Sequence, residues 1–80
     1  MKETMAIIRN VHVGNRDTGR PCLWFSVYIS ESDAALQVFI NDRMLKMIRQ
    51  SGVYDIKELE GAPCWVETDG EIIRFVRFWK

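Results

Sequence analysis

The chain of 80 residues, with 11 Lys plus Arg against 11 Asp plus Glu, is electrically balanced, which excludes a general polyanion binder that works by net charge. A composition 48% hydrophobic and 11% aromatic excludes intrinsic disorder, and the length limits the chain to one domain, residues 1–80, with a stability margin of only a few kcal/mol. No run approaches the roughly 18 apolar residues of a membrane-spanning helix, and the residues after Met1 lack a signal-peptide core, so the expected location is the cytoplasm.

The stretch from Met5 to Val13 predicts a first strand, with Met5, Ile7, Val11 and Val13 in phase and Arg9 out of character. A polar, turn-rich segment from Gly14 to Pro21 follows. The next run alternates most clearly: Leu23, Phe25, Val27 and Ile29 on one face, and Cys22, Trp24, Ser26, Tyr28 and Ser30 on the other. After a turn at Glu31 to Asp33, the segment from Ala35 to Ile40 predicts a third strand with Leu36, Val38 and Ile40 inward.

At Asn41 and Asp42 the period changes to that of a helix, with either residue suited to cap it, Met44, Leu45, Met47 and Ile48 forming the apolar stripe and Gly52 ending it. Asp55 with Glu58 fits a capping box, with Tyr54 and Leu59 as its hydrophobic staple, and Gly61 and Pro63 close that short turn. Two apolar runs joined at Asp69-Gly70 then predict a terminal hairpin, Cys64 to Thr68 and Ile72 to Trp79. The expected architecture is α+β: a curved, antiparallel five-stranded sheet in the sequence order β-β-β-α-β-β, with one helix packed on one face. A reading frame filled by one such unit reads as a stand-alone binding module.

One helix covers only one sheet face, yet Trp24 and Tyr28 occupy the other side of the second strand. The last strand is apolar on both phases, with Ile73, Phe75 and Trp79 on one, Ile72, Val76 and Phe78 on the other, and Arg74 and Arg77 on opposite phases. Two outcomes fit this pattern: aromatic and Arg side chains displayed outside the core, or a sheet that curls enough, or bulges near Arg74, to bury both faces of its central strand. Trp24, Tyr28, Trp65, Arg74, Arg77 and Trp79 are the candidate partner-binding residues, being of the types enriched at interface hot spots.

Catalysis has little to rest on. His12 is the one histidine, no acid pair sits on a recognisable scaffold, and Gly14 and Gly19 precede a strand and not a phosphate-binding helix. No enzymatic activity, metal or cofactor is therefore expected. Cys22 and Cys64 are too isolated for a metal site; a bridge between them requires neighbouring strands, and without a secretion signal two half-buried thiols are the plainer reading.

At Leu59 to Val66 and Ile72 to Phe78 the chain resembles, over roughly its C-terminal half, small phage and prophage proteins in which a short helical turn ends Leu-x-Gly-x-Pro before a valine-rich strand and a final hairpin strand. That resemblance implies an origin in a mobile element. It further implies an inhibitor of host defence in the manner of anti-CRISPR proteins, acting without a cofactor by binding a host protein complex, such as a CRISPR effector, in the bacterial cytoplasm. A homodimer would also suit so small a domain. The competing expectation is a small nucleic-acid-binding or regulatory phage protein: Arg74, Arg77 and Lys80 interleave with Phe75, Phe78 and Trp79, and Arg16, Arg20, Arg43, Lys46 and Arg49 add further cations.

Overall fold

The computed structural model describes residues 2–15 and 19–79. Its elements run β1 (Lys2–Asn15), β2 (Pro21–Ser30), β3 (Asp33–Ile40), α1 (Asn41–Ser51), a 3-10 turn (Ile56–Leu59), β4 (Pro63–Thr68) and β5 (Ile73–Phe78). All strands pair antiparallel in one sheet of spatial order β3-β2-β1-β4-β5, which is the expected α+β architecture with its single helix. Three hairpin-connected strands followed by a fourth that returns beside the first make a Greek key.

Antiparallel pairing throughout makes the two edge strands, β3 and β5, run in the same direction. They approach one another across the core side. The Gln37 amide there bridges both, donating from Nε2 to the Ile73 carbonyl at 3.2 Å and accepting at Oε1 from the Phe75 N–H at 3.3 Å. The sheet is thus curled into a partly open barrel, with a side-chain amide standing in for a missing ladder rung.

The core holds Ala6, Ile8, Leu23, Phe25, Val27, Phe39, Leu59, Cys64, Val66 and Phe78. Phe25 lies at its centre, with the rings of Phe39, Phe75 and Phe78 at 5.6, 5.5 and 6.5 Å, in the tilted and edge-on arrangements that aromatic quadrupoles favour. Met44, Met47 and Ile48 of α1 pack against this cluster from below, but Leu45 is 60% exposed and leaves the expected stripe. Gly52 ends the helix at φ 69, as its position foretells.

Three local expectations are corrected. Ile40, not Asn41 or Asp42, occupies the cap position of α1, and no side chain caps it; β3 runs into the helix without a loop, and Asn41 absorbs the reversal at φ 53. The capping box forms, with Asp55 accepting from the Lys57 N–H and Glu58 from the Asp55 N–H, but Tyr54 is wholly exposed and staples nothing. Thr68 pairs with Ile73, so the last hairpin has a longer loop than the Asp69-Gly70 pair suggests. Asp69 Oδ1 organises this loop by accepting from Glu71 and Ile72, with Gly70 at φ 99.

The strand phases also differ. In β1, Met5 and Ile7 face away from the core while Ala6 and Ile8 enter it; a bulge between Arg9 and His12, with Asn10 at φ 58, then brings Val11 and Val13 to the core side. In β3 the inward residues are Ala35, Gln37 and Phe39, and Leu36 and Val38 point out at 50% and 42% exposure, because Phe39 pairs with Leu23 and fills the space beside Phe25. In β5 a second bulge sets Val66 opposite Phe75 and Trp65 opposite Arg77, leaving Val76 as the extra residue. Phe75 and Phe78 therefore both reach the core, and Arg74 and Arg77 share the outer face.

These placements yield a contrast of two helix and core positions. Phe25→Ala should cost about 3–5 kcal/mol and leave the domain largely unfolded, whereas Leu45→Ala should shift stability by no more than about 0.5 kcal/mol. Urea denaturation of the two variants beside the parent measures both; a large loss at Leu45 would remove α1 from the orientation described.

Candidate functional site

Residues directly opposite in the ladders share a face, so the outer surface of the sheet is read row by row. Across β3, β2 and β1 the rows are Ala34, Tyr28 and Ile7; Leu36, Ser26 and Arg9; Val38, Trp24 and His12; and Ile40, Cys22 and Gly14. Across β1, β4 and β5 they are Met5, Trp65 and Arg77, then Glu3, Glu67 and Arg74. The outer side of this barrel thus mixes aromatic and aliphatic side chains with charged ones.

One stacked aromatic pair and two aromatic–cation units stand on it. His12 and Trp24 stack with ring centroids 5.4 Å apart and planes inclined by 29°, and the indole extends towards Gly14. The Arg9 guanidinium lies over the Tyr28 ring at 5.7 Å, above a shallow cavity lined by Ile7, Ile29, Ser30 and Glu31. Arg77 lies over Trp65 at 5.5 Å and is held there by an ion pair with Glu3. Each pairing orients its ring by the attraction of a cation or a second aromatic ring for a π face.

Of the expected candidates, Trp24, Tyr28, Trp65, Arg74 and Arg77 share this outer face, although in two groups separated along β1. Trp79 does not join them: it lies beyond the end of β5, exposed, against a cleft lined by Ser51, Val53, Glu58 and Leu59. Arg16 and Lys80, counted as cations from sequence, lie outside the described residues. Arg9, His12, Leu36 and Val38 belong to the site and were missed. Only the β1 bulge brings His12 beside Trp24, and nothing in the local pattern marks it beyond Asn10, a residue type that tolerates positive φ.

The bulge is clamped from outside the ladder. Glu60 accepts from the Asn10 N–H at 2.9 Å and from the Val11 N–H at 3.0 Å, the two amides displaced from pairing with β2, while Gly61 and Ile8 exchange a further backbone bond. Those two amide bonds, followed by the charges of His12 and Arg9, hold the Glu60 carboxyl below its ordinary value. Its negative charge is engaged by the backbone at the edge of the His12–Trp24 row.

Neither thiol is exposed, although Cys22 belongs to an outer-face row. Cys22 and Cys64 are free and buried, Cys64 on the core side between Ala6 and Phe78, and Cys22 on the opposite phase, donating to the Gly14 carbonyl at 3.4 Å. Burial pushes the Cys64 thiol up to about 11, which suppresses its thiolate at neutral pH. Among the described residues no group of three or more His, Cys, Asp or Glu is disposed to hold a metal ion.

Because Glu60 titrates lower in the folded chain than in the unfolded one, its contribution is complete above the ordinary value of 4.5 and is lost as pH falls through the lowered folded value. Glu60→Gln should therefore lower the melting temperature at pH 7 and flatten the melting profile between about pH 5 and 2. A parallel acid profile for parent and variant would show that the bulge does not depend on this carboxylate. No family model, curated protein or solved structure matches the chain, and the chemistry of the outer face rests on its own residues.

Proposed function

We propose that the protein is a non-enzymatic binding module that takes single-stranded nucleic acid on the outer face of β1, β2 and β3. The observation that carries this reading is the presence of two ordered aromatic units, Trp24 stacked with His12 and Tyr28 under the Arg9 guanidinium, on one open sheet face. Trp24 and Tyr28 are four residues apart on one strand, about 13 Å, with Ser26 between them and Arg9 opposite it. Rings at that spacing offer platforms for two unstacked bases of one strand with a further nucleotide between them, and the hydroxyl and guanidinium between the rings offer hydrogen bonds to base edges. Leu36 and Val38 extend the apolar floor.

The topology supports the same reading. Five-stranded, partly open Greek-key barrels of the OB type take oligonucleotides on the face of strands 2 and 3, between the loops that join strands 1 to 2 and 4 to 5. This likeness is one of strand order and says nothing of sequence preference. The zero net charge and the few cations on the face make base stacking, not phosphate neutralisation, the main source of affinity.

A second reading, an inhibitor docking on a host protein complex such as a CRISPR effector, has its own observation. Met5 at 42% exposure, Trp65 and Arg77 form one row across β1, β4 and β5, with Glu3 fixing the arginine. An indole, an ordered arginine and an exposed methionine are the composition of a protein-interface hot spot.

Fluorescence anisotropy with a labelled oligodeoxythymidylate separates the two. Trp24→Ala and Tyr28→Ala should each weaken binding by about 5- to 150-fold, the worth of one stacked base, with Trp65→Ala unchanged. For an oligonucleotide of about 4 residues, affinity should fall with salt at a slope of about 1.4 in logarithms, the release from two phosphate contacts. Absence of oligonucleotide binding, or a loss confined to Trp65→Ala, would overturn the proposal and favour the protein-docking row.

A further inference from the structure

Resting on the nucleic-acid reading of the sheet face, we infer that a longer bound strand leaves this face at one end only, over helix α1, where Arg43, Lys46 and Arg49 take its phosphates. The inference comes from where a neutral protein has put its charges. β2 and β3 are joined beyond Tyr28 by a turn carrying Glu31 and Asp33. Gln37 ties the middle of β3 to the start of β5, which brings the β4–β5 loop, with Asp69 and Glu71, to that same part of the sheet. Asp69 is held in its ionised form by the amides of Glu71 and Ile72. A polyanion meets repulsion there.

The opposite end is built differently. Beyond the row of Trp24 and Val38 comes that of Cys22 and Ile40, and Ile40 passes without a loop into α1, which packs on β2 and β3. With Met44, Met47 and Ile48 turned to the core, the helical period directs Lys46 and Arg49 away from it, and Arg43 lies on the flank over the Phe39 ring at 5.6 Å. All three are exposed, and Asp42 is the one acid on this helix. Cations at steps of three residues form a ridge on a helix surface, each able to meet a separate phosphate.

Distance keeps the two ends independent. From Tyr28 to Cys22 is about 20 Å along an extended strand, twice the Debye length of about 10 Å at 0.1 M salt, so the acids at one end do not cancel the cations at the other. Among the described residues of β2, β3 and α1, the acids Glu31 and Asp33 thus lie at one end of the face and the cations Arg43, Lys46 and Arg49 beyond the other.

The test compares oligodeoxythymidylates of about 4 and about 16 nucleotides, the range one such barrel accommodates, on the parent and on a Lys46→Glu, Arg49→Glu double variant whose melting curve matches the parent. Lengthening should tighten binding to the parent at least tenfold and steepen its salt slope by about 2.1, three phosphates at about 0.7 each. In the double variant both gains should vanish while the short oligonucleotide binds within twofold of the parent. A length gain that survives in the variant, or that is absent from the parent while the short oligonucleotide binds, overturns the helix path and leaves the sheet face standing. Failure of the parent to bind either length overturns both. Competition by polyglutamate as effective as that by the long oligonucleotide would show that the helix takes an acidic chain and not a phosphodiester.

Discussion

The Glu60 carboxylate, accepting from the amides of Asn10 and Val11, is the contact on which the rest of the sheet depends. A bulge takes two N–H groups out of the β1–β2 ladder, and the Glu60 carboxylate supplies them with a charged acceptor in place of water. With a charged acceptor from the segment just before β4, β1 bends at Asn10, its first half, to Ile7, pairing with β4 and its second half, from Ile7, with β2. That bend lets one strand belong to both sides of a curled sheet. It also exchanges the faces of β1, so that Ala6 and Ile8 precede the bulge in the core and His12 follows it on the surface beside Trp24. A single ion–amide contact thereby sets the barrel's curvature and assembles half of the candidate site.

A second irregularity completes the closure. Omitting Val76 from the β4–β5 register lets Phe75 and Phe78 both pack inward, with rings 4.9 Å apart, and fills the volume that curling the sheet creates. Gln37 then joins the two edges where strands of the same direction come close but do not form a ladder. Its amide presents one donor and one acceptor in the manner of a peptide group, so the exposed edges that a five-stranded sheet would offer for aggregation are partly satisfied.

Where the side-chain period ran unbroken, the sequence was sufficient. The alternation of β2 marks its core face without ambiguity, Gly52 and the Asp55–Glu58 pair mark their turns, and the order of elements follows from the change of period at Asn41. The faces of β1 and β5 could not be read, because each contains a bulge and a period-2 pattern carries no record of an inserted residue until the partner's register is known. β3 was inverted for another reason. Leu36, Val38 and Ile40 outweigh Ala35, Gln37 and Phe39 in aliphatic content, but one phenylalanine placed against Phe25 and a glutamine needed at the barrel seam decide the orientation. Trp24 and Tyr28 were legible as sharing the outer phase of β2; that Arg74 and Arg77 share a face and do not lie on opposite ones, the place of Trp65, the separation of Trp79 and the membership of Arg9 and His12 required the topology.

The inversion of β3 has an energetic consequence that links fold to function. Turning Phe39 inward commits Leu36 and Val38 to the surface, where each leaves apolar area in water at about 25 cal/mol per Å² that a fully covered strand would recover. They lie in rows with Ser26 and Trp24, so the uncovered area is contiguous with the aromatic platforms and not scattered. Flat π faces laid across such a floor would remove it from water without any change of backbone. Through mass action, a ligand present at a hundredfold its Kd would add about 2.7 kcal/mol to the folded state, comparable to the margin of a domain this small. The same surface that weakens the free protein is thus the one through which a bound strand would stabilise it.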